Sequence, residues 1–592
     1  MKRAVVNISN RCSLLLRALP EGRLLFILAL ITGLLSGLAA VSLKHLAHLI
    51  SWLLRGWFHS SGESILYLIY PGVGMLLTML FVRHFIKEDI GHGVTKVLLA
   101  ISKNDSKIKA HNSWSSVVAS SLTIGFGGSV GAEAPIVYTG AAIGSNIAKW
   151  LNLPYKHITI LLGCGAAGAV AGIFKAPLAG ILFTLEILLF NISMTSILPL
   201  LVSTVTATIV SFLLLGDAVV FSSTIEGFDL ADIPFYIVLG LLCGFASLYF
   251  TRATMWLESK IKRVEGNYKR WMVSASLLGL LIFLFPPLFG EGYGSLTAIL
   301  NKDIDRAIGP NIYGEIINNE WFILLFFIAI IFFKVFAMSF TNAGGGVGGT
   351  FGPTLFIGGV VGFVVSRFIN LSGIGLLPES NFALAGMAGL MAGVMQAPLT
   401  AIFLNAEISG GYTLLMPLII TSIVSFFTIR NFEPYSIYTK RIAAAGDLIT
   451  HDSDRAVLTL LKIDDVIERD FKSIKIDGYL SDIIAIISTS KRNLIPVVDK
   501  LGKLKGVVHL DDIREIMFDS KQYHTTTVER LMVESAVVVY EDDKMECVMR
   551  KFESSGEWNL PVVTHQGDYL GFVSKSKIFS AYRDQLQQVS HE

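Results

Sequence analysis

The sequence predicts an all-α membrane domain made of two related halves with broken helices, followed by a small, duplicated α/β tail. Three observations predict it. Across 592 residues the chain is 53% hydrophobic with a mean hydropathy of +0.61 and only 16% charged residues, against the roughly 25% charge of soluble domains. The charge is also unevenly placed: residues 320–430 hold little of it and residues 462–592 hold much, so a membrane body precedes a soluble tail. Finally, the hydrophobic part repeats itself. Gly165-Ala-Ala-Gly-Ala-Val-Ala-Gly-Ile-Phe-Lys-Ala-Pro-Leu178 matches Gly386-Met-Ala-Gly-Leu-Met-Ala-Gly-Val-Met-Gln-Ala-Pro-Leu399 at an offset of 221, and the match runs on into Glu186-Ile187 and Glu407-Ile408.

The first apolar run, Leu24 to Leu43, follows Lys2, Arg3, Arg11, Arg17 and Arg23. Basic residues before a span favour a cytoplasmic N-terminus, residues 1–23. Gly37-Leu-Ala39 resembles a signal-peptide cleavage site, but the run continues past it and exceeds the roughly 7–15 residues of a signal core. Further spans are predicted near 64–84, 233–256, 270–289, 320–340 and 412–429, each close to the roughly 20 residues that cross a bilayer. Between them lie shorter apolar pieces broken by Gly and Pro: 115–124, 136–151, 157–173, 178–190, 354–369, 382–395 and 399–408. Broken helices at membrane depth are tolerated where they line a cavity or are buried in protein, so these pieces are predicted to surround the transport path.

Two nine-residue glycine loops sit at equivalent places of the repeat, offset by 218. Gly127-Gly-Ser-Val-Gly-Ala-Glu-Ala-Pro135 contains a carboxylate, Glu133; Gly345-Gly-Val-Gly-Gly-Thr-Phe-Gly-Pro353 contains none. Glycines let backbone N–H groups approach an ion and a following helix turns its positive end to it, while a nearby Glu competes for the same place. This is the pattern of an anion site with one acidic gate. Neither loop ends in the Lys-Ser/Thr of a phosphate-binding loop. His45 and His48 have helical spacing without a third ligand, and Cys12, Cys164, Cys243 and Cys547 are scattered without metal-ligand spacing. The net charge of +2 gives no case for nucleic acid.

Six segments in order carry a resemblance to the CLC family of chloride channels and anion/proton exchangers: Gly91-His-Gly-Val94, Gly131-Ala-Glu-Ala-Pro135, Phe174-Lys-Ala-Pro-Leu-Ala-Gly180, Gly348-Gly-Thr-Phe-Gly-Pro353, Ala397-Pro-Leu-Thr400 and Pro434-Tyr-Ser436. The resemblance implies two inverted halves in a transmembrane domain spanning 24–440, one pore per subunit and a homodimer in the lipid bilayer. It further implies both termini in the cytoplasm of a bacterial-type inner or plasma membrane, and chloride or a related anion as cargo. Residue by residue, it implies that Glu133 is the gate. Gly131, Ala132, Thr350 and Phe351 would line the anion path with their amides, and Tyr435 would face the inner anion site with its hydroxyl.

Three departures bear on activity. His92 stands where the family commonly has serine, beside Gly93 at the central anion, as a direct donor or as a ring turned away with Gly93's amide left to the task. Ala132 and Ala134 replace the arginine and glycine that often flank the gating glutamate, which weakens focusing of anions. Ile187 replaces the glutamate that relays protons in family exchangers. Isoleucine carries no proton, so the expectation is a passive gated channel, with anion/proton exchange as the alternative. Glu186 and Glu407, equivalent in the repeat, suit buried hydrogen bonding.

In the tail, Asn493-Leu-Ile-Pro-Val-Val498 and Asn559-Leu-Pro-Val-Val563 align at their prolines with an offset of 65, and Gly502 and Gly506 recur as Gly567 and Gly571. The tail resembles a pair of CBS domains, residues 462–520 and 525–583, after a linker at 441–461. Such pairs can bind adenine nucleotides, with Asp512 at the position that holds ribose hydroxyls; the second unit has Lys577 there. No cofactor is required by this reading. The rival class is a membrane sensor or enzyme controlled by its paired tail domains.

Overall fold

The computed structural model describes residues 20–56, 63–188, 194–216, 221, 226–309, 313, 319–444, 463–490, 492–535, 537–543 and 545–581. The basic residues before Arg23, Cys12 and most of the expected linker lie outside them. The chain forms two compact units, residues 1–448 and 449–592.

Among the described residues the first unit is built of helices and holds no strand. Its helices are α1 (Glu21–Gly56), α2 (Glu63–Phe81), α3 (Gly93–Lys103), α4 (Ser115–Gly125), α5 (Glu133–Trp150), α6 (Tyr155–Phe174), α7 (Pro177–Ile187), α8 (Met194–Leu215) and α9 (Ile233–Lys262). They continue as α10 (Asn267–Leu284), α11 (Tyr293–Leu300), α12 (Ile304–Ile308), α13 (Glu320–Ala343), α14 (Phe351–Leu371), α15 (Glu379–Met395), α16 (Pro398–Ile408), α17 (Leu415–Arg430) and α18 (Ile437–Ala444). Among the described residues, seven helices are long and apolar enough to cross a membrane. Exposed Phe26, Leu30, Leu34 and Leu38 recur every four residues along α1, an apolar stripe that lipid satisfies.

The expected spans near 270–289 and 412–429 correspond to Asn267–Leu284 and the 16-residue Leu415–Arg430, neither among those seven, and two further expectations need correction. Residues 157–173 and 354–369 are not short fragments: α6 has 20 residues and α14 has 21, both among the membrane-length helices. Their internal glycines do not break them because they serve close packing. A Cβ on Gly140 of α5 would lie 2.1 Å from the Gly165 carbonyl oxygen of α6, and Gly358 of α14 meets Gly386 of α15 in the same way at 2.4 Å. Removing the Cβ lets helix backbones touch, the usual device of membrane packing. The second correction is α8, at residues the sequence reading left unassigned, where Pro199 lies inside a continuous 22-residue helix.

The two halves meet through reciprocal bonds between equivalent residues. Gly131 N–H donates to the Gly349 oxygen at 3.0 Å and Gly349 N–H returns the bond at 2.7 Å. The Ser129 amide donates to the Thr341 hydroxyl at 3.1 Å, and the Val347 amide donates to the Thr123 hydroxyl at 3.0 Å. The carboxylate of Glu186 accepts from the amides of Leu399 and Thr400 at the start of α16, and that of Glu407 accepts from the amides of Leu178 and Ala179 at the start of α7. Each pair is related by the sequence repeat, so a local two-fold axis runs between the halves.

The second unit holds two three-stranded sheets of the same topology. In the first, strands β1 (Ile474–Lys475), β2 (Leu494–Val498) and β3 (Leu504–His509) lie in the order β1-β2-β3, β1 parallel to β2 and β3 antiparallel to it. In the second, β4 (Val539–Tyr540), β5 (Asn559–Val563) and β6 (Tyr569–Ser574) repeat that order, with register shifts at Val497/Val498 and at Val562/Val563. The sheets are joined as symmetrically as the helical halves: the Leu504 amide donates to the Gly567 oxygen and the Tyr569 amide to the Gly502 oxygen, each at 3.1 Å.

Candidate functional site

The two glycine loops come together where α5 and α14 begin. A helix start leaves up to four N–H groups without an intrahelical partner, and two such starts converge here across the Gly131–Gly349 bridge. Glu133, at 2% exposure, is buried between them. Its Oε2 accepts the Gly352 amide at 3.2 Å and its Oε1 accepts the Tyr293 hydroxyl at 2.5 Å. The loops admit this carboxylate because they lack side chains: a Cβ on Gly131 would sit 2.0 Å from Oε2. A carboxylate here occupies the amides as a tethered anion would.

The other predicted donors are distributed unequally. The amides of Thr350 and Phe351 open α14, and that of Gly93 opens α3, all among the donors a helix start leaves over. The Gly131 amide is committed to Gly349, and the Ala132 amide donates to the Glu291 carboxylate at 3.0 Å. Neither is left to a free anion in this conformation. Phe351 is buried, with its ring 5.3 Å from that of Phe174.

His92 has a carboxylate beside its ring. It adopts a left-handed backbone, φ 53°, at the start of α3, and its Nε2 lies 3.6 Å from Glu258 Oε2 of α9. Glu258 in turn holds Arg441 of α18 at 2.8 Å.

Tyr435 is 40% exposed and lies outside the start of α18. Tyr438, in the first turn of that helix, is 2% exposed and its hydroxyl adjoins that of Thr350. Neither hydroxyl closes a hydrogen bond of good geometry, so two buried donors face the start of α14. The Ser-Ile-Tyr spacing puts the tyrosine that enters the protein three residues beyond Pro434-Tyr435.

Sequence reasoning also missed Tyr293, Glu291, Lys44 and Lys334. A cavity of about 370 Å³ is lined by Lys44, Glu133, Phe174, Glu291 and Tyr293. Lys334, in the middle of α13 and fully buried, donates to the carbonyls of Leu288 at 3.3 Å and Gly290 at 2.9 Å. A lone lysine inside an apolar span was the available signal, since such residues are functional by default. Ile187 is buried at the end of α7. Asp512 is exposed at the start of the short helix Leu510–Ile513. Among the described residues no cluster of metal-ligand type occurs.

Fold and site together define a multi-pass membrane protein that transports anions. The chain belongs to the voltage gated chloride channel family, matched over residues 73–430, and carries CBS domains matched over 463–519 and 528–584. It is 29% identical over 421 residues to the H(+)/Cl(-) exchange transporter ClcA of Vibrio cholerae serotype O1, covering 67% of this chain and 84% of that one. The fold is shared with a slow cyanobacterial Cl-/H+ antiporter at a TM-score of 0.61 and 22% identity, over 72% of this chain and 99% of the other. A CLC-type fluoride/proton antiporter matches at a TM-score of 0.58 and 25% identity, over 70% and 96%.

Proposed function

We propose that this protein exchanges chloride, or a closely related small anion, for protons across a membrane, with Glu133 as the group that carries the proton and gates the anion. The single observation that carries this reading is the buried Glu133 carboxylate seated on the Gly352 amide. The relatives named exchange transporters support coupling over the passive channel that Ile187 first suggested. Because Ile187 offers no proton site, exchange needs another route. His92 and Glu258, 3.6 Å apart, are the titratable pair that supports one. The anion path is read as the amides of Gly93, Thr350 and Phe351 with the hydroxyls of Thr350 and Tyr438. Weak donors of this kind suit a site that must also release its ion. The reading includes a dimer with both termini cytoplasmic and a regulatory tail, in which Asp512 is the position a nucleotide ribose would meet.

The deciding experiment imposes a chloride gradient across liposomes holding the purified protein and follows protons. Steady uphill proton movement is the expected result. Chloride flux that leaves protons at equilibrium would return the channel reading, and no flux at all would favour a membrane sensor.

For the anion path, Tyr438→Phe should weaken chloride binding about tenfold to a hundredfold, the value of one hydrogen bond to a charged acceptor of roughly 1.5–3 kcal/mol. Tyr435→Phe should leave it unchanged. Calorimetric titration of the purified protein with chloride measures both, and the opposite ranking would restore Tyr435 to the path.

A further inference from the structure

Glu291 lies on a sharp loop whose shape is built into its neighbours. Gly290 and Gly292 flank it with φ of 61° and 87°, a left-handed backbone that glycine adopts without strain. The loop is fixed on both sides: the Gly290 amide donates to the Gly127 oxygen at 3.0 Å, and Lys334 holds the Leu288 and Gly290 carbonyls with its ammonium 5.0 Å from the Phe356 ring centre. Held this way, Glu291 delivers its carboxylate to the Ala132 amide, one residue before Glu133. It also lines two cavities. One, of about 370 Å³, contains Glu133; the other, of about 780 Å³, does not. Glu291 therefore stands between the larger cavity and the gate.

We propose that Glu291 is a second proton-operated gate in series with Glu133. Ionised, it occupies the Ala132 amide as a tethered anion; protonated from the adjoining cavity, it releases that amide to a passing chloride. One negative charge replaces another at each step, and the proton returns when the carboxylate rebinds. This rests on the transport reading above. The groups facing Glu291 are Glu133 and Tyr293 around the gate, Lys44 from α1 and Lys334 from α13. His48 of α1 lines both cavities and Arg306 of α12 the larger one. Lys44 lies near both carboxylates and Lys334 near Glu291, basic neighbours that help two acids share the site.

Chloride efflux from liposomes is measured for the parent, Glu291→Gln, Glu133→Gln and the double variant across about pH 5 to 8, where buried carboxylates titrate. Glutamine cannot ionise, so it meets the Ala132 amide only with a neutral oxygen that chloride displaces more readily than a carboxylate. Expected are several-fold faster efflux of Glu291→Gln at the alkaline end, residual pH dependence in Glu133→Gln, and a flat profile in the double variant. A Glu291→Gln profile that superimposes on the parent's, or identical profiles for Glu133→Gln and the double variant, would reduce Glu291 to a loop-positioning residue. No efflux from the parent would defeat the transport reading itself, and the second gate with it. Should Glu291→Gln not yield stable protein, Glu291→Asp decides in its place. Retracting the carboxylate by one methylene should speed alkaline efflux while preserving its pH dependence, and unchanged efflux would overturn the proposal.

Discussion

Glu133→Gln is expected to abolish uphill proton movement while chloride continues to flow, with most of its pH dependence gone. The carboxylate uses both oxygens, one for the Tyr293 hydroxyl and one for the Gly352 amide. Glutamine offers the Gly352 amide a neutral oxygen and meets the Tyr293 hydroxyl with an NH₂, so the hydroxyl must turn from donor to acceptor and its bond to an ionised oxygen is lost. Hydrogen bonds to an ionised acceptor are worth about 1.5–3 kcal/mol each. Losing one therefore lowers the side chain's hold on the anion site by about tenfold to a hundredfold. The glutamine carries no transferable proton at all. Chloride efflux and proton uptake recorded together on the same liposomes check both halves of this result. A variant that still moves protons uphill would remove Glu133 from the proton path, and an unchanged pH profile would remove it from the gate.

The repeat, the glycine loops and Glu133 could be read from sequence because each rests on local spacing: a glycine run, a following helix and an acid at its start. The reading stopped where function depends on what long-range packing brings in. Glu291 and Tyr293 lie some 160 positions from Glu133, as the Tyr293–Glu133 separation of 160 shows, and no periodicity connects them. His92 departs from the family pattern in the chain, and its partners Glu258 and Arg441 come from distant helices that no spacing announces. The choice between Tyr435 and Tyr438 turned on the helical phase of α18, which a Pro-Tyr-Ser motif alone does not fix. The glycines of α6 and α14 misled for the opposite reason. In isolation they weaken a helix, but against a second helix they permit the contact that holds it. Glu186 and Glu407 were legible as a pair through their repeat equivalence, and the structure supplies the partners each one needs.

That pair yields the largest expected loss of stability. Glu186 accepts the Leu399 amide at 3.1 Å on one oxygen, and the Thr400 amide and hydroxyl, each at 2.8 Å, on the other. It thus caps the start of α16 from the opposite half, as Glu407 caps α7. Glu186→Ala leaves two helix-start amides and a hydroxyl, only partly buried, without their acceptor, a loss of roughly 2–4 kcal/mol. Glu186→Gln should fare little better, because its NH₂ group would be turned against one of those donors. Thermal unfolding of the purified protein in detergent should show both variants melting well below the parent, and Glu407→Gln should behave alike because the repeat gives it the same task. The comparison also tests whether Glu186 substitutes for the proton relay missing at Ile187. A relay requires an acid that exchanges its proton, whereas a cap requires one that stays ionised on its amides. A Glu186→Gln protein as stable as the parent yet unable to move protons uphill would make Glu186 the relay; an unstable one whose surviving fraction still couples would leave it as the clasp between the two halves.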